Sequence, residues 1–370
     1  MEKVFFEICR EYNIEEIDKI ITSSLEYLEV KIPVSSRILL KPNILGMYFP
    51  EQHINTNPVI VEAILRILKN NNNIIILGDS SGNGQYGNTK IALRKSGMME
   101  LGKKYGITVK AFDGYPGKIF RSEKNLVFKE INLTSFIDEV DYIINLPKLK
   151  SHTFMSYSGA VKNFYGCVPG AGKPRGHLHA PAQKDFANGL LDIYSFIKPK
   201  VLLNIMDGII GIEGAGPGPA GKIKESNFIA VSKDAIALDC ACISLFGKNP
   251  SNILTNQLGI KRDLFHGNIE KNRELPLIDF KLPKASFMEA LLNKVVPGLA
   301  LSKPYLIPQK CKKCCICVKA CPAGAILMNE FPSFNYSKCI YCFCCHENCP
   351  ESAIMLKENI LFKIFKAISK

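Results

Sequence analysis

The sequence predicts an α/β domain with a mainly parallel sheet, followed by a small, cysteine-rich α+β domain. Three observations carry this. Runs that are apolar throughout recur between stretches of helical spacing: RILL at 37–40, NIIIL at 73–77, DYIINL at 141–146 and VLLNIM at 201–206. Strands apolar on both faces are buried on both faces, as in parallel sheets covered by helices. Ten of the 14 cysteines fall between Cys311 and Cys349. Between the two regions, prolines at 276, 283, 297, 304 and 308 interrupt regular structure.

The elements follow in order. Residues 3–9 read as a strand, 14–28 as a helix and 37–41 as a strand. Asn57-Pro58 pairs an N-cap with proline at the first helical position, opening a helix to about Lys69. The asparagine run 70–73 is a turn, 73–77 a buried strand and 78–87 a glycine-rich loop. Strands are expected at 107–112, 141–146, 201–206 and 227–231, and helices at 158–165, 185–196 and 235–246. The α/β domain spans 1–275. Residues 276–303 form a linker, in which Ser286 and Glu289 make a capping box for a short docking helix. The cysteine-rich domain is 304–357.

The tail, 358–370, is basic and amphipathic. Ile360, Ile364, Phe365 and Ile368 share one face, ringed by Lys357, Lys363, Lys366 and Lys370. Such a tail packs on the body of the protein or makes peripheral contact with a membrane surface. The chain has no apolar run of about 18 residues, so no transmembrane span is expected. The N-terminus, MEKVFFEICREYN, has no signal-peptide pattern. The expected setting is a reducing, anaerobic cytoplasm. Net charge is +13, from 47 Lys and Arg against 34 Asp and Glu. The excess favours anionic partners, namely an acidic redox protein or an anionic small molecule. It is spread along the chain without a basic arm, which disfavours nucleic acid.

The cysteines repeat. Cys311-x2-Cys314-x2-Cys317-x3-Cys321-Pro322 returns as Cys339-x2-Cys342-x2-Cys345-x3-Cys349-Pro350 at an offset of 28. CPAGAILM at 321–328 likewise returns as CPESAIML at 349–356. Three cysteines spaced by two wrap one face of a four-iron cubane, and the fourth thiolate comes from a distant segment. In a duplicated module the fourth cysteine of each run serves the other cluster. One cluster is therefore expected on Cys311, Cys314, Cys317 and Cys349, and a second on Cys339, Cys342, Cys345 and Cys321. Zinc sites instead pair short Cys-x2-Cys knuckles. The segment resembles a bacterial-type ferredoxin with two [4Fe–4S] clusters, which implies one-electron transfer. Cys315 and Cys344 fall outside the ligand positions, and His346 is read as a surface residue.

The larger domain carries KPNILG at 41–46, INLPKLKSH at 144–152, GAVKNFYGCVPG at 159–170 and MDGIIGIEGAGPGPAG at 206–221. Over about 36–262 it resembles the family of domains of unknown function numbered 362, often fused to such a ferredoxin module. That resemblance supplies no catalytic residues.

The site must be read from the residues. Ligands of open parallel sheets bind beyond the carboxyl ends of the strands. The polar residues that follow successive strands are Lys41 and Asn43; Asp79, Ser80 and Ser81; Lys148, Lys150 and His152; and Asp207 and Glu213. Lys148, Lys150, His152, Asp79 and Asp207 are the catalytic candidates. Lysines hold negative charge and histidine moves a proton near neutral pH. Lys41, Asn43, Lys162 and Asn163 are the candidate contacts to a further, unassigned small-molecule cofactor. His177 and His179 lie in a loop that, with His152 and Cys167, offers a weaker metal site. Gly82-x-Gly84-x-x-Gly87 fits the letters of a dinucleotide fingerprint. Cys240 and Cys242 are core residues. The expected function is a ferredoxin-fed reductive enzyme. The alternatives are an electron carrier and a metallocentre assembly or activation factor, with the α/β domain recognising the partner.

Overall fold

The computed structural model describes residues 1–82, 88–170, 172–283 and 302–357. The docking helix expected after Ser286, the tail 358–370, and Gly84 and Gly87 of the fingerprint lie outside them.

The chain opens with β1 (Glu2–Ile8), α1 (Ile14–Tyr27), β2 (Arg37–Pro42), α2 (Pro58–Lys69) and β3 (Ile74–Asp79). Local chemistry explains the helix starts. Asn13 accepts hydrogen bonds from the backbone N–H groups of Glu15 and Glu16, and Asn57 accepts from that of Val59. The spacing of Ile17, Ile20, Ile21 and Leu25 gives α1 one buried stripe. Next come α3 (Thr89–Lys95), α4 (Met98–Tyr105), β4 (Thr108–Ala111), the hairpin β5 (Gly117–Arg121) and β6 (Glu130–Thr134), and α5 (Phe136–Glu139). They are followed by β7 (Tyr142–Leu146), β8 (Lys148–His152), β9 (Ser156–Ser158), α6 (Ala160–Asn163), α7 (Gly172–His179) and α8 (Gln183–Ile197). The domain ends with β10 (Val201–Glu213), β11 (Lys222–Ser232), α9 (Ala235–Leu245), α10 (Leu254–Lys261) and β12 (Ile269–Lys271).

Among the described residues the main sheet has ten strands, eight of them in the order β12-β1-β11-β10-β7-β2-β3-β4. The run from β10 to β4 is parallel throughout, and β11 is antiparallel to both its neighbours. The sheet is thus mixed and mostly parallel. Its strands feed two cores in alternation: Ile38 and Leu40 enter the core beneath α1 and α2, and Leu39 enters the one beneath α8 and α9. Ile144 and Ile143 divide in the same way. Period-2 alternation with both faces covered is the reason these strands read as unbroken apolar runs.

Four expectations need correction. β10 runs to Glu213, so Asp207 and Glu213 lie within a strand and not after one. The antiparallel partner β11 extends pairing well beyond the apolar stretch. Lys148–His152 is itself a strand, parallel to β10 and antiparallel to β9. The helix expected at 158–165 is the single turn α6 followed by a 3-10 turn at Phe164–Cys167. His177 and His179 sit on a helix, α7, rather than in a loop.

The cysteine-rich region folds as β13 (Lys303–Leu306), β14 (Ile326–Met328), β15 (Pro332–Phe334) and β16 (Ile354–Lys357), with helical turns at Ile316–Ala320 and Cys344–Glu347. β13 pairs with β16 and β14 with β15. The duplication is visible in the backbone. Left-handed residues recur at the offset of 28: Lys313 and Tyr341, Cys315 and Phe343, Gly324 and Ser352.

Candidate functional site

The cysteines line two cavities. Cys311, Cys314, Cys317 and Cys349 line one, with Leu306 and Ile354 in its wall. Cys321, Cys339, Cys342 and Cys345 line the other, with Ile326 and Phe334. Each set takes its fourth cysteine from the other run. Backbone N–H groups donate to the sulfurs in matching places. Ala353 donates to Cys349 and Ala325 to Cys321, each at 3.2 Å; Lys313 donates to Cys311 and Tyr341 to Cys339, each at 3.4 Å. Four soft thiol donors, apolar walls and N–H groups aimed at sulfur fit an iron–sulfur group. A fifth cysteine also lines each cavity, Cys315 in the first and Cys344 in the second. The first cavity is the more open, since Cys314 is exposed while Cys342 and Cys345 are buried.

The second feature is a buried cluster of lysines. Alternation along β8 sends Lys148, Lys150 and His152 to one side, and each is only 1% exposed. Lys148 Nζ lies 2.9 Å from Asp207 Oδ2 and donates to Tyr12 Oη at 2.8 Å. Asp207 also accepts from Tyr12 Oη and from the Asn57 backbone, both at 2.9 Å. Lys41 Nζ lies 2.8 Å from Asp79 Oδ1, and Asp79 Oδ2 accepts from the Ile44 backbone at 2.7 Å. These are two complete buried ion pairs.

Lys150 and Lys162 differ. Lys150 donates to Asn43 Oδ1 and to the Ile54 carbonyl at 3.1 Å, with no carboxylate in ion-pair contact among the described residues. Lys162, half-buried, has neither a hydrogen bond nor an ion pair among the described residues. Burial pushes the Lys150 ammonium well down from its ordinary value, and the charges of Lys162 and Lys148 push the same way. Burial also lowers Lys162, against the pull of Glu347. An asparagine relay fixes the acceptor for Lys150. Asn43 Nδ2 donates to Asn163 Oδ1 at 2.9 Å, Asn163 Nδ2 to Asn145 Oδ1 at 2.7 Å, and Asn145 Nδ2 to Asn204 Oδ1 at 2.9 Å.

His152 ends the row. Burial, followed by the charge of Lys162, drives its imidazole well below the ordinary range, so the ring is neutral at pH 7. Nδ1 accepts from the backbone N–H groups of Phe154 and Met155, each at 3.2 Å, which puts the ring proton on Nε2. That same Nδ1 is 3.2 Å from Glu347 Oε1, and Thr153 Oγ1 donates to the same carboxyl oxygen at 3.4 Å. Burial pushes the Glu347 carboxyl up to about 8.

Glu347 belongs to the helical turn that carries Cys345, so the second cavity abuts the lysine cluster. The seam has three further ties. His346, expected on the surface, is 2% exposed, because Nδ1 faces the Ile354 carbonyl at 2.6 Å and Nε2 the Ala215 carbonyl at 3.3 Å. Phe343 meets Phe154 edge-on at 6.4 Å between ring centroids. Gly218 leaves room for the Glu347 carbonyl, which a Cβ there would meet at 2.7 Å.

The structure thus joins Lys41 to Asp79, Lys148 to Asp207, and Lys150 through Asn43 to Asn163. It sets His152 against the cysteine-rich region. His177 is buried and stacked on Phe186 at 4.1 Å, while His179 is exposed. Among the described residues no three His, Cys, Asp or Glu side chains gather tightly enough to hold a single metal ion, the trio of His152, His177 and Cys167 included. Cys240 and Cys242 are core residues. Sequence reasoning missed Tyr12, Thr153, Glu347 and Lys173, the last of which donates to the carbonyls of Ser80 and Ser81. No local motif marks them. The CPES repeat places Glu347 only as the residue two before Cys349.

Fold and cysteines together define the class: an iron–sulfur protein in which an α/β domain precedes a 4Fe–4S binding domain. The pattern of that binding domain matches residues 304–327, and the pattern of the DUF362 family, domain of unknown function, matches residues 38–244. The chain belongs to the DUF362 family. It is 30% identical over 266 residues to a thylakoid-associated protein of Synechocystis, covering 67% of this chain and 80% of that protein. A crystal structure of a Thermotoga maritima protein aligns with a TM-score of 0.39 at 12% identity, over 60% of this chain and 56% of that one, less than two thirds of its length. No described helix is long and apolar enough to cross a membrane.

Proposed function

We propose that the chain binds two [4Fe–4S] clusters, one in each cysteine cavity, and passes electrons through them to a small molecule or cofactor at the Lys150–His152 site. The carrying observation is the seam: the turn that holds Cys345 also sets Glu347 against His152. A [4Fe–4S] group supplies one-electron transfer when bound. The protein's own groups supply the rest. The open cavity, beside exposed Lys310, Lys312, Lys313 and Lys319, suits docking of an acidic redox partner. The buried cavity faces the site. Each electron added to a bound molecule raises its negative charge and its proton affinity. Lys150 and Lys162 stabilise that charge, and the neutral His152 ring, with its proton on Nε2, is placed to donate a hydrogen bond to it. Tight packing of Phe343, His346 and Glu347 on the α/β domain holds the two parts in register.

The test compares Lys150→Ala and His152→Ala with the parent chain, anaerobically. Unchanged iron content and unchanged reduction by dithionite, together with lost turnover or partner reduction, is the expected result. Full activity in both variants would replace this reading with that of an electron carrier, in which the α/β domain only recognises a partner.

A further inference from the structure

A buried charge is stable when it is paired or well solvated by hydrogen bonds, and the cost of leaving one without a counter-charge is several kcal/mol in order of magnitude. The lysines around β8 obey this rule in two places and break it in one, with a half-buried lysine beside it. Lys148 and Lys41 each have a buried carboxylate at ion-pair distance. Lys150, 99% buried, has neutral oxygens only, and Lys162, half-buried, has no hydrogen-bond or ion-pair partner among the described residues.

The two unmatched ammonium groups act on the same surroundings. The charge of Lys162 is felt by Lys150, His152, His177 and Glu347. Asp79 acts on Lys150 from within the α/β domain; across the seam, among the described residues, the carboxylate acting on this group is Glu347, which makes its contacts with His152 and Thr153. His177 adds a second, independent sign. It is 7% exposed, its ring is held between Phe186, Phe154 and Tyr165, and its Nδ1 is buried with no hydrogen-bond partner among the described residues. The ring's packing is complete, but its buried Nδ1 is a polar atom that a bound group would satisfy.

We infer that the seam between the two domains is a binding site for a small oxyanion, a carboxylate or phosphate group, held by Lys150 and Lys162 with the His152 and His177 rings beside it. The inference deepens the proposed function by naming what the site holds, and it rests on that reading only for the fate of the ligand, not for its binding. The oxyanion supplies the missing counter-charge. It accepts from the two ammonium groups, which act as point charges and do not demand planar, bidentate geometry. It thereby presents the rest of the molecule to His152 Nε2–H and to the second cysteine cavity.

The experiment titrates the cluster-loaded full chain with inorganic phosphate in one arm and acetate in another, at constant ionic strength, by calorimetry. One-to-one saturable binding in either arm is expected, and the tighter arm identifies the source of the oxyanion. Lys162→Gln should weaken that binding at least tenfold and Lys162→Arg should restore it, while Lys118→Gln, at an exposed position of β5, leaves it unchanged. A raised thermal midpoint of the unaltered chain in the same anion reads binding without any variant. No saturable binding in either arm, or binding indifferent to Lys162→Gln, overturns the proposal. So does a Lys162→Gln chain that shows only a shifted cluster potential, for then Lys162 merely balances the cluster's charge. Anion binding that persists where electron delivery fails would sink the redox reading and leave this one standing.

Discussion

Replacing Lys148 and Lys150, two strand positions apart, by methionine should have very unequal consequences. In Lys148→Met the perturbation strands Asp207. Both side chains of that pair are fully buried at 2.9 Å, and among the described residues Asp207 keeps only the Tyr12 hydroxyl and the Asn57 backbone as partners. Removing one member of a buried pair costs about 3–5 kcal/mol, because the remaining charge is uncompensated. Lys150→Met removes a charge that has no counter-ion. What it orphans is the Asn43 Oδ1 and the Ile54 carbonyl, a loss of about 1–3 kcal/mol that is offset by relief of a buried ammonium. In a domain of this size each kcal/mol moves the thermal midpoint by roughly 2–4 °C, so Lys148→Met should melt roughly 6–20 °C lower. Lys150→Met should stay within a few degrees of the parent. The assay is far-ultraviolet circular dichroism of the cluster-loaded chain at pH 7. Equal losses in the two variants would refute the separation of a structural lysine from a functional one.

Anaerobically prepared protein should contain about eight iron and eight sulfide per chain, the stoichiometry of two cubanes; about two zinc without sulfide is the contrary finding. Cys321→Ser should damage the cluster in the cavity shared with Cys339, Cys342 and Cys345 and spare the other, as read by electron paramagnetic resonance of the reduced protein; loss of the Cys311–Cys317 cluster instead would contradict the crossed arrangement. Burial, aided by the charge of Lys162, holds His177 down at about 3, against an ordinary 6.5. The unfolded chain therefore takes up a proton that the folded chain refuses, and this contribution makes stability fall as pH drops from about 6.5 toward 3. His177→Gln should lose less of its thermal midpoint between pH 7 and pH 5 than the parent chain does; an equal loss in both would exclude His177 as a source of acid sensitivity.

The local chemistry of the chain was legible without a structure wherever it depends on neighbours in sequence. Helix starts at Asn13 and Asn57 are set by the two or three residues after them. Strands buried on both faces announce themselves as apolar runs, because alternate residues such as Leu39 and Leu40 enter different cores. The cysteine spacing and its offset of 28 are self-contained. The four-cysteine sets that line the cavities were expected from the repeat, because in a duplicated module the fourth cysteine of each run serves the other set.

Contacts that close over long separations were decided by the tertiary structure. Tyr12 meets Asp207 across 195 residues, and Thr153 meets Glu347 across 194. The sequence pattern drew out Lys148 and Lys150, although they lie within a strand and not after one. It did not say which are neutralised, because that depends on strand register: Asp207 stands opposite Lys148, whereas Ile212 stands opposite Lys150. That one difference in pairing makes the first lysine a buried ion pair and leaves the second with only neutral oxygens. The same limit hid the helix at Gly172–His179, whose glycines, proline and histidines have poor intrinsic helix propensity. It also hid the burial of His346, which the Ala215 and Ile354 carbonyls hold in the seam. Propensity and spacing act over a few residues. Burial, charge pairing and the joining of the two domains arise only when distant segments pack.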